Sequence, residues 1–127
     1  SEISPKPTLL ENLTLDENVA YFTHYLSIDE ETINSKLNKF KLTDYRKDSI
    51  KNFSSGMIKR SELAICDIKN PDVLCIDEPL NYLDKEGIEI LEDLLNIRSS
   101  DNKCSILSSQ ESLNILTNIE TVNLNEV

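Results

Sequence analysis

The sequence predicts an α/β fold: a helical half followed by a layer of short strands and helices in the order β-α-β-α-β. Three observations carry this. Near residue 70, helical spacing of apolar residues gives way to short apolar runs. "PDVLCIDEP", residues 71–79, is one such run, rich in strand formers and bounded by Pro71 and Pro79. It suits a strand covered on both faces in a parallel sheet. Beyond it the pattern alternates. "KEGIEILEDLLNIRSS" carries Ile88, Leu91, Leu94 and Leu95 at helical spacing, and "CSILSS" reads as a strand. "SLNILTN" then reads as a helix and "IETVNLN" as a third strand.

The helical half follows from its caps and spacings. "SEISPKPTLLEN" holds two prolines and predicts an extended entry. Thr14 and Glu17 form a capping box opening a helix over about 15–26. Ser27 and Glu30 repeat the device, with Ile28, Ile33, Leu37 and Phe40 continuing at roughly helical spacing. "KLTDYRKDSIKN" is polar and broken and predicts a short helical turn between loops. A third helix runs from about Ser55 to Lys69, with Ile58, Leu63, Ala64 and Ile68 as its buried stripe, and Asn70-Pro71 ends it.

Composition bounds the function. The chain has 127 residues, enough for one compact domain or part of a larger one. It is 39% hydrophobic and 28% charged, ordinary for a soluble globular chain. No apolar stretch approaches the ~20 residues that span a bilayer. The N-terminus does not begin with Met and lacks a basic region followed by an apolar core. A net charge of −10 argues against nucleic acid or anionic lipid as partner, because the electrostatic term is repulsive. Cys66, Cys75 and Cys104 have no C-x-x-C spacing and sit in apolar contexts, which predicts buried, reduced thiols of a cytosolic protein. His24, the single histidine, sits in "VAYFTHYL" as an ordinary helix-face residue. The two glycines, Gly56 and Gly87, begin no G-x-x-x-x-G-K-[ST] loop, so these residues form no phosphate-cradling loop.

The chemistry concentrates after the first strand. Ligands of open α/β sheets sit at the carboxyl ends of the strands. A strand ending in Asp77-Glu78 delivers two carboxylates to that edge. One can hold a hydrated Mg²⁺ and the other can orient or deprotonate a water, the division of labour that attack on a phosphate requires. Upstream, "FSSGMIKR", residues 53–60, stands at a predicted helix start, where open backbone N–H groups and serine hydroxyls attract anions.

In this order the motifs resemble the ATP-binding cassette (ABC) ATPases. "FSSGMIKR" looks like the family's signature, "VLCIDEP" like its Walker B strand, and "NYLD", residues 81–84, like its D-loop. "ILSSQ" resembles the switch strand, with Gln110 where the family has histidine, and "LTLDENV" resembles the segment after the Q-loop. The resemblance spans about residues 3–124. It implies a partial P-loop NTPase fold that begins at the Q-loop, with the Walker A segment outside the chain. The implied organisation is a Q-loop region over 1–14, a helical subdomain with the signature over 15–70, and the C-terminal half of the α/β core over 71–127.

The resemblance also assigns roles. Asp77 would hold Mg²⁺, and Glu78 would be the catalytic base, with Gln110 at the switch. Phe53, Ser54, Ser55, Gly56, Met57, Lys6 and Asp84 would contact ATP. Ser54 and Gly56, which would face a γ-phosphate across a dimer, keep the family's residue types. Phe53, Ser55 and Met57 depart from the signature, and Lys6 (or Pro5) stands where the Q-loop glutamine belongs. Gln110 can hydrogen-bond a phosphate but cannot become an imidazolium.

"DEP" and the short interval before the signature resemble transporters rather than chromosome-maintenance ATPases. "SPKPTLLENLTLDENVAYFTHYL" and the S-S-G-M signature look most like the haem-exporter subunit of bacterial cytochrome c maturation. The implied partners are transmembrane permease subunits and a second ABC ATPase subunit, in a homo- or heterodimer, at the cytoplasmic face of a bacterial inner membrane. These 127 residues alone are then expected to be inactive. The alternative is a degenerate, non-hydrolysing nucleotide sensor or structural subunit. Docking on the permease predicts that at least one of Leu9, Leu10, Tyr21, Phe22 and Tyr25 is exposed next to the Q-loop segment, at a cleft between the helical and α/β halves.

Overall fold

A computed structural model describes residues 2–3 as backbone, and residues 9–116 and 118–124 in full. After β1 (Glu2–Ile3) come α1 (Leu15–Thr23), α2 (Glu30–Lys39), α3 (Ser55–Lys69), β2 (Val73–Asp77), α4 (Lys85–Ser100) and β3 (Cys104–Ser108). Two 3₁₀ turns, Thr43–Tyr45 and Ile50–Asn52, join α2 to α3. The three strands form one parallel sheet in the order β1-β2-β3.

α3 is the centre of the molecule and packs against α1, α2 and α4. Residues 61–68 are all buried, so the helix is enclosed well beyond the single apolar stripe expected of it. Phe40, Leu42, Ile50, Leu63, Leu74, Leu91 and Leu94 are the large side chains that fill the core. Asn70 closes α3 in the left-handed region at φ 49°, and Pro71 follows.

The Thr14–Glu17 capping box forms at the start of α1, with both reciprocal hydrogen bonds present. The second helix is capped differently from expectation. Asp29, not Ser27, accepts the Thr32 N–H at 2.7 Å, so α2 begins after residue 29. An ionised acceptor gives the stronger cap. Asn18, fully buried, clamps the preceding loop: it accepts from Leu10 N–H and donates to the carbonyls of Leu10 and Thr14.

Four expectations fail in the second half. "SLNILTN" forms no helix among its described residues, because the Ser112 hydroxyl takes the Asn114 N–H and a single turn closes from Leu116 to Leu113. "IETVNLN" forms no strand over its described residues. Val122 and Leu124 are 76% and 81% exposed, with no layer to bury against. The third strand of the sheet is instead β1, beside β2. Nor is β2 covered on both faces. Leu74 and Ile76 face the core, whereas Val73 is 47% and Ile106 on β3 is 53% exposed. That alternation also corrects the cysteines. Cys66 is buried in α3, but Cys75 and Cys104 lie on the bare face with Val73 and Ile106 and are exposed.

His24 is exposed at the end of α1, its Nδ1 2.7 Å from the Tyr21 carbonyl. Leu9 is buried and Phe22 half-buried, while Leu10, Tyr21 and Tyr25 are exposed. Among the described residues no helix is long and apolar enough to cross a membrane.

Candidate functional site

The carboxyl ends of β2 and β3 bring Asp77 and Glu78 together with residues 108–110. The strands run in register from Val73–Cys104 to Asp77–Ser108, so both end at the same edge. Ser108 Oγ donates to Asp77 Oδ1 at 2.7 Å. Glu78 is held through both carboxylate oxygens. Ser109 Oγ donates to Oε2 at 3.1 Å and the Gln110 N–H donates to Oε1 at 3.0 Å. Gln110 therefore meets Glu78 through its backbone, with its side chain exposed.

Glu78 adopts φ 50°, a left-handed conformation that is unusual for a glutamate. Such a residue costs about 1–3 kcal/mol and persists where its surroundings over-determine it. They do so here. Its N–H donates to Ser108 O at 2.7 Å, and its carbonyl accepts from Asn81 N–H at 3.1 Å and from Lys59 Nζ at 3.4 Å. The turn after β2, the end of β3 and Lys59 of α3 thus fix main chain and side chain of Glu78 together. Tyr82, at φ 68°, is the second left-handed residue of the same connection.

Lys59 reaches this turn from α3 and is 3% exposed. Burial pushes its pKa down, and the charges of Glu62, Asp77, Glu78 and Cys66 oppose that. Neither Lys59 nor the serine pair stood out in the sequence. Two hydroxyl residues at the end of the strand after an Asp-Glu strand were the readable sign of the latter.

The serine-glycine segment opens α3. Ser54 is the N-cap, its Oγ accepting the Met57 N–H at 3.2 Å, which leaves its own hydroxyl proton free to donate to a ligand. Ser54 and Ser55 are exposed. Gly56 lies against the D-loop-like turn, where an added Cβ would stand 2.9 Å from Tyr82 O. The turn of residues 53–57 and the turn of residues 78–84 are therefore in direct contact. Phe53 and Met57 point elsewhere. Phe53 is 9% exposed and stacks edge-on with Tyr45, and Met57 packs against the core. Asp84 is the N-cap of α4, its Oδ1 accepting the Gly87 N–H at 2.8 Å. Lys6 lies outside the described residues.

Arg98 is a further buried residue that spacing alone did not single out. It is 2% exposed at the end of α4. Its guanidinium donates to Ser105 Oγ, Pro71 O and Cys104 O at 2.8–2.9 Å, tying α4 to the starts of β2 and β3.

Residues 2–81 match the family described as ABC transporter. The lantibiotic transport ATP-binding protein SrtF of Streptococcus pyogenes is 36% identical over 118 residues, covering 93% of this chain and 50% of that protein. The spermidine/putrescine import ATP-binding protein PotA of Fusobacterium nucleatum is 31% identical, covering 98% of this chain and 35% of that one. The cytochrome c biogenesis ATP-binding export protein CcmA of Shewanella frigidimarina is 28% identical, with 83% and 49% covered. A solved structure of the ATP-binding subunit of an ABC transporter superposes with a TM-score of 0.77 at 25% identity, over 85% of this chain and 47% of that one. The chain spans about half the length of SrtF, the first of these relatives. Motif order, fold and relatives agree: the chain belongs to the ABC transporter ATP-binding family.

Proposed function

We propose that these residues form the signature-to-switch portion of an ATP-hydrolysing subunit that drives a transmembrane permease. The observation that carries this is the grip on Glu78, both of whose carboxylate oxygens are anchored beside Asp77 at the carboxyl edge of the sheet. A base must be aimed before it can act, and an anchored glutamate in a locked turn is aimed. In this reading Glu78 orients and deprotonates the attacking water. Asp77 would hold a hydrated Mg²⁺, which would supply charge neutralisation on the phosphates. Ser54, Ser55 and Gly56, at the N-terminus of α3, receive the γ-phosphate bound by a second ABC subunit. Gln110 lies beside Glu78 as a neutral hydrogen-bonding switch.

The G-x-x-x-x-G-K-[ST] loop that ATP binding needs is absent from residues 1–127 and would be carried by other polypeptide of the full-length subunit. These residues by themselves would then be inactive. Exposed Tyr21, Tyr25 and Leu10 offer the helical half a docking surface for the permease at the cytoplasmic face of the membrane. The relatives' names span lantibiotic transport, polyamine import and cytochrome c biogenesis, and the haem-exporter likeness is carried at 28% identity. The cargo is therefore assigned to none of them.

The reading predicts ATP-driven pairing. The full-length subunit carrying Glu78→Gln should sediment as a dimer with Mg-ATP and as a monomer without it. A monomer at every ATP concentration would count against the proposal.

A further inference from the structure

Building on the reading of Glu78 as the base, we propose that Lys59 is a positioning residue that ties the signature helix to the strained Glu78 turn. Its side chain leaves the early part of α3, is 3% exposed, and ends on the Glu78 carbonyl at 3.4 Å. That carbonyl also accepts from the Asn81 N–H at 3.1 Å. Two donors from different directions hold the peptide after Glu78 in its left-handed setting. Fixing that peptide fixes the root of the carboxylate that Ser109 and Gln110 hold at its tip.

A buried ammonium is costly unless it is paired and hydrogen-bonded, and simple packing would be served by a methionine or leucine. The charges around Lys59 are Glu62 along α3 and Asp77 and Glu78 at the end of β2. It thus lies among the acids while its bond goes to main chain. Gly56, three residues earlier on the same helix, touches Tyr82 at the far side of the same connection. A displacement of α3 is thereby passed to the Glu78 turn at two points.

The test uses amide hydrogen exchange of the 127-residue chain without nucleotide. Lys59→Met leaves Glu62 buried beside an uncharged partner and can impair folding. Lys59→Met/Glu62→Gln removes both charges together and is the second variant. In whichever variant folds, the Glu78 and Gln110 amides should exchange about tenfold faster, the Boltzmann factor of one hydrogen bond's net worth. Amides of α1 and α2 should be unchanged. In the full-length subunit the double variant should slow single-turnover hydrolysis with ATP affinity unaltered. Unchanged exchange at Glu78 and Gln110, equal acceleration throughout the chain, or a loss confined to ATP affinity would each overturn the proposal. Exchange is read without ATP, so it is decided separately from the role of Glu78, which turnover of Glu78→Gln decides.

Discussion

Gly56→Ala puts the contact between the two turns under direct test. The new methyl would stand 2.9 Å from Tyr82 O, well inside the ~3.5–4 Å at which such atoms attract. The obstacle is backbone, not the end of a flexible side chain, and it belongs to a residue already in a left-handed turn. Helix propensity works the other way, since Gly56 lies in the first turn of α3 and alanine is favoured over glycine by about 1 kcal/mol in a helix interior. Overpacking costs about 1–3 kcal/mol. The clash should win, giving a net loss of up to about 2 kcal/mol. Urea unfolding of the chain, with Ser55→Ala alongside, measures this. Ser55 is exposed one position away, so its variant should stay within about 0.5 kcal/mol of the parent. A Gly56→Ala chain as stable as the parent, or more so, would refute the argument, because the Tyr82 turn would then yield freely.

Three other outcomes follow from the same structure. Arg98→Met should cost about 3 kcal/mol in denaturant unfolding, since three part-buried acceptors lose the charged donor of a buried side chain. Burial raises the pKa of Asp16, but hydrogen bonds from Arg46 and Lys47 outweigh it and hold the carboxyl below its usual range. The folded pKa is depressed, so this stabilisation is full above the unfolded value near ~4 and is lost as pH falls through the folded one. Asp16→Asn should flatten that acid-side slope of stability and leave the slope above neutrality alone. A thiol reagent should label Cys75 and Cys104 quickly and Cys66 only on unfolding, because burial raises the Cys66 pKa to about 11; three equal rates would contradict the packing of α3.

The legible parts of the fold were those with local causes. The Thr14–Glu17 box, the Asn70-Pro71 stop and the alternation of "VLCID" with "KEGIEILEDLLNIRSS" act within a few residues, and α3, β2 and α4 follow from them. The misread parts depended on partners distant in sequence. β1 is two residues long and exists only by pairing with β2. Leu116 is buried and Leu113 and Ile119 pack against the core, yet no helix or strand forms there among the described residues; Val122 and Leu124 meet no layer that would bury them, and Cys75 reads as core because sequence does not say which face of a strand is covered. At the site, Asp77 and Glu78 were conspicuous as acids beside an apolar run. Their holders, Ser108, Ser109 and Lys59, come from the end of β3 and from α3; the serine pair is visible at the strand end, but nothing local to Lys59 announces its contact.

The central claim is that the anchored Glu78 is the base of an ATPase. Single-turnover hydrolysis of Mg-ATP by the full-length subunit with the proposed permease, comparing parent and Glu78→Gln, tests it most directly. Glu78→Gln should lower the rate about 10²–10⁴-fold, the range for a lost general base, with ATP binding intact. An unchanged rate would move the base elsewhere. No hydrolysis by the parent would instead favour a non-hydrolysing nucleotide sensor, in which Gln110 at the switch position is the telling residue.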